Sequence, residues 1–503
     1  MITPAKQEAD VCLILEGTYP YIAGGVSNWT HDLILGLPEL RFHLLTIVPP
    51  QEKLVLRYKI PDNVAGISHV VLQDLSLGAP RIRHQKQLFA NLEEPLKDLH
   101  SRGSLSDLDN ILNVVAPYKE QLGRHILLDS QESWELLLKM YKAQYSESSF
   151  LDYFWSWRNL VGGLFSVLLT DIPRAGLYHA VSTGYAGLLA AKARLEIKRP
   201  AILTEHGIYT NERRIEISMS DWLHEKPLGW LCFEKINKDL KDLWIDTFIN
   251  YSQICYEASS EIITLFPGNQ KFQIADGALP EKLSIIPNGI DYPVYSQIPR
   301  KEHSRPTIAL IGRVVPIKDI KTFIRACAIL RDKIPDLQAY IIGPTDEDEM
   351  YFRECQEVVR FLQLQKTVIF TGKVKLTDYL GGIDVNVLTS ISEGQPLVIL
   401  EVGAMGIPSV ATNVGACSEL ILGNELESPA VGTGGTVTRL SNPGETAKAI
   451  ADLLTNKKRY EQCSQACKER VRRYYDKAAL LNRYRELYQN YLSDHIVPQL
   501  LEV

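Results

Sequence analysis

The sequence predicts an α/β chain built from two doubly wound parallel-sheet domains, and three observations predict it. The second half alternates short apolar strands with helical segments almost without interruption. The first half repeats that order around a long helical stretch. At 503 residues the chain is too long for one hydrophobic core.

In the first half, Val11 to Leu15 is strand-like, followed by a loop over Ala23 to Val26 and a helix from about Ser27 to Leu37. Phe42 to Val48 reads as the next strand. Strand signals return at Tyr178 to Val181, Ala201 to Thr204, Glu261 to Leu265 and Lys282 to Ile286. Residues 80–175 are rich in Leu, Lys, Glu and aromatics and predict a helical insertion. Pro280, Pro287, Pro293 and Pro299 mark the exit, so a hinge is expected near 287–306. This makes 1–295 the first domain.

The second domain is expected over 300–478. Thr307 to Ile311 predicts a strand, Asp319 to Leu330 a helix, Gln338 to Ile342 a strand and Glu349 to Leu362 a helix. Strands follow near Val368 and Val385, then a helix after Pro396 and a strand at Ser409 to Thr412. In Lys477 to Leu492, Tyr484, Leu487, Tyr488 and Tyr491 share one side of an amphipathic helix. Residues 479–503 are expected to return to the first domain.

Composition excludes several classes. The formal charge of −6 gives no reason to expect nucleic-acid binding. The N-terminus lacks the charged-then-apolar order of a signal peptide, and the apolar stretch Leu160 to Leu169, broken by Gly162 and Gly163, is too short to span a membrane. Eight scattered cysteines without C-x-x-C pairs read as reduced thiols in a cytoplasmic protein.

The most informative stretch is S-E-G-Q-P-L-V-I-L-E, Ser392 to Glu401. It follows a strand signal and runs into an apolar helix, so its loop lies outside the carboxyl end of a strand, where parallel sheets bind ligands. Free amides at the helix start, near Leu397 and Val398, attract phosphate. Glu401 stands among apolar residues, where a carboxylate needs hydrogen-bond donors such as a sugar diol. I-G-R-V-V-P-I-K-D, Ile311 to Asp319, puts Arg313 and Lys318 in a second strand-to-helix loop. Alone, two solvated cations explain it as well; beside the Glu393 loop, a diphosphate clamp explains it better. Gly24-Gly25 permits close backbone approach to a ligand, with Ser27 or Asn28 as the helix cap, though an ordinary tight turn gives the same pattern. His206 follows a strand and suits a donor to a bound sugar, a catalytic group or a structural role. Asn288-Gly289 marks a turn. The Asp107/Asp109 and Asp346/Asp348 pairs read as solvated acids rather than metal ligands.

Together these motifs resemble the retaining GT-B glycosyltransferases of family 4. The E-x7-E motif matches Glu393 and Glu401, the basic pair matches Arg313 and Lys318, and the Gly-Gly loop matches Gly24-Gly25. The N-G-I-D turn matches Asn288 to Asp291. Within that family, E-G-T-Y-P-Y-I-A-G-G-V-S-N-W, T-E-H-G-I-Y-T-N-E-R and S-E-G-Q-P are similar to the PelF-type branch, cytosolic enzymes of bacterial Pel exopolysaccharide synthesis. Gln395-Pro396 stand where the broader family usually has Phe-Gly. The resemblance implies two Rossmann-like domains facing across a cleft, UDP-glucose as donor substrate, a polysaccharide acceptor and no metal or other cofactor. It also implies partner proteins of an inner-membrane exopolysaccharide synthase that recruit the chain. It assigns the ribose hydroxyls to Glu401, the donor sugar to Glu393, and the diphosphate to Arg313, Lys318 and the amides of Gly394, Leu397 and Val398. His206 steadies the sugar or the developing positive charge. A UDP-sugar 2-epimerase, or a non-catalytic nucleotide-sugar-binding subunit, is compatible with the same residues.

Overall fold

The computed structural model describes residues 9–50, 53–101, 103–218, 239–425 and 427–493. They form two compact units, one of residues up to Ile285 together with those from Tyr484, the other from Ile286 to Arg483.

The first unit holds seven strands: β1 Ala9–Glu16, β2 Phe42–Val48, β3 Val64–Val71, β4 Ala175–Ala180, β5 Ala201–Glu205, β6 Glu261–Thr264 and β7 Leu283–Ile285. All neighbouring pairs are parallel, in the order β3-β2-β1-β4-β5-β6-β7. β1, β4 and β5 are almost wholly buried, which is why they read as unbroken apolar runs. β3 escaped sequence reading because it is a half-exposed edge strand with Gly66 and His69 in its run. The expected insertion forms helices over Gln85–Ser101, Leu105–Val115, Arg124–Leu127, Gln131–Met140 and Phe150–Leu169. Asp107, one of the paired acids, completes a capping box with Ser104 there.

The second unit holds β8 Thr307–Ile311, β9 Gln338–Ile342, β10 Val368–Gly372, β11 Val385–Leu388, β12 Ser409–Thr412 and β13 Gly435–Thr438. The order is β10-β9-β8-β11-β12-β13, again all parallel. β13, a four-residue edge strand behind a Gly-rich run, is the second strand the sequence did not announce. In each sheet the strand order reverses once, between β1 and β4 and between β8 and β11, and such reversals open a crevice at the carboxyl ends.

Seven described cysteines are buried and free, and Cys232 lies outside the described residues. No described helix is long and apolar enough to cross a membrane. Residues 1–8 and 494–503, from which the N-terminal and part of the C-terminal expectations came, also lie outside.

The last helix, Lys477–Ser493, buries Tyr484 and Tyr488 in the first unit. Fully buried His179 on β4 meets the Tyr488 hydroxyl at 2.6 Å and the Thr204 hydroxyl at 2.8 Å. Burial lowers its pKa from 6.5 to about 3. Between those pH values the unfolded chain takes up a proton that the folded chain refuses, so stability falls as the pH falls. His179→Gln should remove one proton, about 1.4 kcal/mol per pH unit, from that slope. Urea unfolding midpoints across the range measure it, and an unchanged slope would refute the assignment.

Candidate active site

In the second unit the strand reversal sets two loops side by side, one after β8 and one after β11. The first carries Arg313 and ends in a short 3-10 turn, Pro316–Lys318. The helix Ile320–Arg331 begins beyond it. Asp319 sits in the left-handed region (φ 43°) and caps this helix, accepting from the Thr322 amide at 3.2 Å and its hydroxyl at 2.7 Å. The cap places a carboxylate at the positive helix end, which frees Lys318 to point elsewhere.

The Lys318 ammonium pairs with Glu393 Oε1, both side chains being largely buried. The Ser390 hydroxyl donates to the same oxygen at 2.6 Å. Eight residues on, Glu401 Oε1 accepts from the Tyr295 hydroxyl at 2.8 Å. Burial raises the Glu401 pKa, and the Tyr295 bond partly counters it. Each carboxylate of the motif is thus oriented through one oxygen, while Oε2 of each has no partner among the described residues. Arg313 is half-exposed and pairs with Glu347 in the acidic run after β9. The expected basic pair is therefore divided between two different carboxylates.

The helix Leu397–Ala404 starts after Pro396 with no side-chain cap and no acid in its first turn. Its first amides, of Leu397 and Val398, have no intrahelical acceptor. The loop ahead of them is held from two sides. Gln395 accepts from the Asn288 amide at 2.7 Å and donates to the Asn288 carbonyl at 2.9 Å. The Gly394 carbonyl accepts from Ala416 N at 2.8 Å. Gly415, at φ +51°, lies so close that a Cβ would fall 2.1 Å from the Glu393 carbonyl oxygen.

In the first unit, the helix expected from Ser27 starts two residues earlier, over Gly25–Gly36. Its cap position is Gly24, and no side chain caps it, which corrects the expectation for Ser27 and Asn28. Glycine is an adequate cap residue, so the helix needs neither. Ser27 is buried inside the helix, and Asn28 accepts from the Tyr58 hydroxyl at 2.7 Å. Gly24 has an extended φ of 173°, and a Cβ on Gly24 or Gly25 would meet nothing within 4 Å. Neither strain nor packing explains these glycines, and both sit on open space.

By contrast, the helix Gly184–Ile197 is already closed by a carboxylate. Glu16, at the end of β1, accepts from the amides of Tyr185 and Ala186 at 3.1 and 3.2 Å and from the Tyr209 hydroxyl at 2.8 Å. His206 follows β5 directly. Its ring lies edge-to-face on Trp29 with centroids 4.5 Å apart, and its Nε2 is buried with no partner. Burial lowers its pKa to about 4, so it is neutral near pH 7. A neutral imidazole can donate one hydrogen bond and accept another.

No group of three or more potential metal ligands occurs among the described residues. Asp348, from the second Asp pair, caps the helix Glu349–Phe361. The sequence reading missed Glu347, Ser390, Gly415, Tyr295 and the role of Gln395. Only Gln395 carried a signal, as a departure from the family pattern.

Comparison with known proteins follows this division. A family model described as a domain of unknown function, DUF3492, matches residues 9–281, and the model Glycosyl transferases group 1 matches residues 305–456. The chain belongs to the DUF3492 family and carries a group 1 glycosyltransferase domain in its second unit. It is similar to a D-inositol 3-phosphate glycosyltransferase of Paenarthrobacter aurescens, 29% identical over 35% of this chain and 44% of that protein. It is also similar to an MMP alpha-(1->4)-mannosyltransferase of Mycolicibacterium hassiacum, 25% identical over 50% of this chain and 56% of that one. The chain spans about half the length of these relatives. Among solved structures it resembles Anabaena Alr3699/HepE in complex with UDP (TM-score 0.59, 14% identity, 96% of this chain and 100% of that one). Sucrose-phosphate synthase from Thermosynechococcus elongatus is similar as well (TM-score 0.57, 15% identity, 96% and 99%). The fold is GT-B.

Two substitutions test the loop. Gln395→Leu leaves both Asn288 main-chain groups without their partner and should cost about 1–3 kcal/mol. Gly415→Ala should cost at least as much, through strain at positive φ and the collision with Glu393. Thermal or urea unfolding reads both, and wild-type stability in either variant would contradict the geometry.

Proposed function

We propose that this chain is a retaining, metal-independent glycosyltransferase of PelF type, transferring glucose from UDP-glucose to a growing exopolysaccharide in the cytoplasm, with membrane synthase proteins as partners. The observation that carries the reading is the E-x7-E pair, each carboxylate fixed through one oxygen and presenting the other, beside Lys318 and an uncapped helix start. Neutral hydroxyls and an anionic diphosphate are what such a set receives. The group 1 match over the same residues and the HepE complex with UDP support it.

In this reading Glu401 Oε2 accepts from a ribose hydroxyl and Glu393 Oε2 from the donor sugar. Lys318, Arg313 and the amides of Leu397 and Val398 stabilise the charge that grows on the leaving diphosphate. Pro396 supplies no amide, so Lys318 carries more of that charge. The leaving phosphate takes the acceptor's proton, which accounts for retention without a protein nucleophile. Neutral His206 contributes a hydrogen bond to the sugar. Gly24 and Gly25 admit a ligand against the backbone.

Calorimetry with UDP-, GDP- and ADP-sugars on the purified chain tests donor and nucleotide together. UDP-glucose should bind most tightly, and preference for a guanine or adenine nucleotide would overturn the reading. Lys318→Ala should weaken UDP by about 1.5–3 kcal/mol, and exposed Arg313→Ala by less. Glu401→Ala should lower UDP affinity, whereas Glu393→Ala should act mainly on the sugar. Release of UDP must accompany acceptor glycosylation, and an isomerised sugar instead would identify an epimerase.

His206 gives a pH test. Protonation at about pH 4 should not affect transfer between pH 6 and 8, so His206→Asn should lower kcat without moving the profile there. An inflection near 6.5 that vanishes in the variant would show His206 to titrate in the working range.

A further inference from the structure

Buried Nε2 of His206 has no hydrogen-bond partner among the described residues. The protonated nitrogen of a histidine is ordinarily set by a carboxylate, carbonyl or hydroxyl bonded to the ring. His179 is held in that way, through Tyr488 and Thr204. The carboxylate next to His206 in the chain, Glu205, is engaged elsewhere. Its oxygens accept from the Tyr209 amide at 3.2 Å, the Tyr256 hydroxyl at 3.0 Å and Gln273 Nε2 at 2.9 Å. Burial lowers the His206 pKa with no contribution from a charged neighbour.

What His206 meets is the indole of Trp29, on the helix Gly25–Gly36. Their centroids lie 4.5 Å apart with the planes at 73°, at the close end of edge-to-face packing. The indole is itself held by two further rings, Tyr484 of the last helix at 5.4 Å and 70° and His179 at 6.1 Å and 90°. Three such contacts leave Trp29 little freedom to turn. An aromatic face is electron-rich and its edge electron-poor. The face therefore attracts an N–H and repels a nitrogen lone pair. A protonated Nε2 gains a weak hydrogen bond to it, whereas a bare Nε2 is buried against negative charge with nothing in return.

We propose that Trp29 is the positioning residue of His206: the imidazole Nε2–H donates to the indole face, which fixes the proton on Nε2 and leaves Nδ1 as a hydrogen-bond acceptor. His206 then recognises a ligand hydroxyl and rejects a diphosphate oxygen or a carbonyl, which offer it no proton. The hydrogen bond to the sugar thereby acquires a direction, from sugar to protein. Its consequence for transfer rests on the reading of the chain as a glycosyltransferase.

The test uses the full chain labelled with nitrogen-15 in its 11 histidines. Two-bond proton–nitrogen correlation spectra distinguish a protonated ring nitrogen from a bare one, and the His206 signals are those absent from His206→Asn. At pH 7 Nε2 should carry the proton and Nδ1 should not. UDP-glucose should shift Nδ1 saturably, and inorganic diphosphate should not. Trp29→Leu, which removes the aromatic face, should mix the two tautomers and move the titration from about 4 toward 6.5, whereas Trp29→Phe should keep the tautomer. Glucose transfer by Trp29→Leu should fall severalfold in kcat, and further at pH 6 than at pH 8, because protonation removes the acceptor. In a His206→Asn background Trp29→Leu should cause no additional loss. A proton on Nδ1 in the wild type, an unchanged tautomer in Trp29→Leu, additive losses in the double variant, or an unmoved Nδ1 in a chain that binds UDP-glucose would each overturn the proposal. Where Trp29→Leu does not fold, the wild-type spectrum decides. A chain with the Nε2–H tautomer that transfers no glucose would defeat the proposed function and leave the Trp29 assignment standing.

Discussion

The pair between Lys318 and Glu393 is the interaction on which the second unit's site depends. Both side chains are largely buried, so each would be costly without the other. The pair links the loop after β8 to the loop after β11, across the point where strand order reverses. Ser390 adds a second donor to the same carboxylate oxygen. Glu393 is therefore held before any ligand arrives, and its second oxygen keeps a fixed direction. Glu401 reaches the same state by other means, through Tyr295. Two carboxylates oriented in this way recognise hydroxyl groups well and are poorly placed to act as free bases.

Helix termini set the remaining electrostatics. Glu16 closes the start of Gly184–Ile197, and Asp319 closes the start of Ile320–Arg331. The helices at Gly25 and Leu397 have no side-chain cap and no acid in their first turns. An anion is repelled from the first two starts by a carboxylate already there and is attracted to the other two. The chain thus spends its acidic caps away from the loops that bear Gly24-Gly25 and Glu393-Gly394.

Much of this was legible in the sequence. Buried parallel strands announce themselves as apolar runs, and β2, β8, β9 and β12 were readable to the residue. His206 stood out directly after a strand, Lys318 and Glu393 in strand-to-helix loops, and Glu401 as a charge among apolar helix residues. What stayed hidden depends on tertiary approach. Edge strands β3 and β13 carry too little burial to imprint a pattern. Gly415 looks like any loop glycine until the carbonyl of Glu393 is placed 2.1 Å from its missing Cβ. Tyr295 looked like part of a proline-rich connection, because nothing local says that its hydroxyl will meet Glu401. Asp346 and Asp348 were read as solvated acids, and Arg313 pairs with the half-exposed Glu347 that stands between them.

Gln395-Pro396 illustrates how a departure from a family pattern becomes intelligible through geometry. Proline in place of glycine removes one amide from the helix start and stiffens the backbone there. Glutamine turns its amide to the Asn288 main chain, making two hydrogen bonds that an aromatic side chain cannot make. With Gly415 packed beneath and Ala416 bonded to the Gly394 carbonyl, the loop is pinned on both sides. A loop fixed in advance loses less entropy when it takes a ligand. The lost amide and the gained rigidity act in opposite directions on anion binding. Substitution at these two positions therefore exchanges one main-chain donor for a loop held more firmly by Asn288.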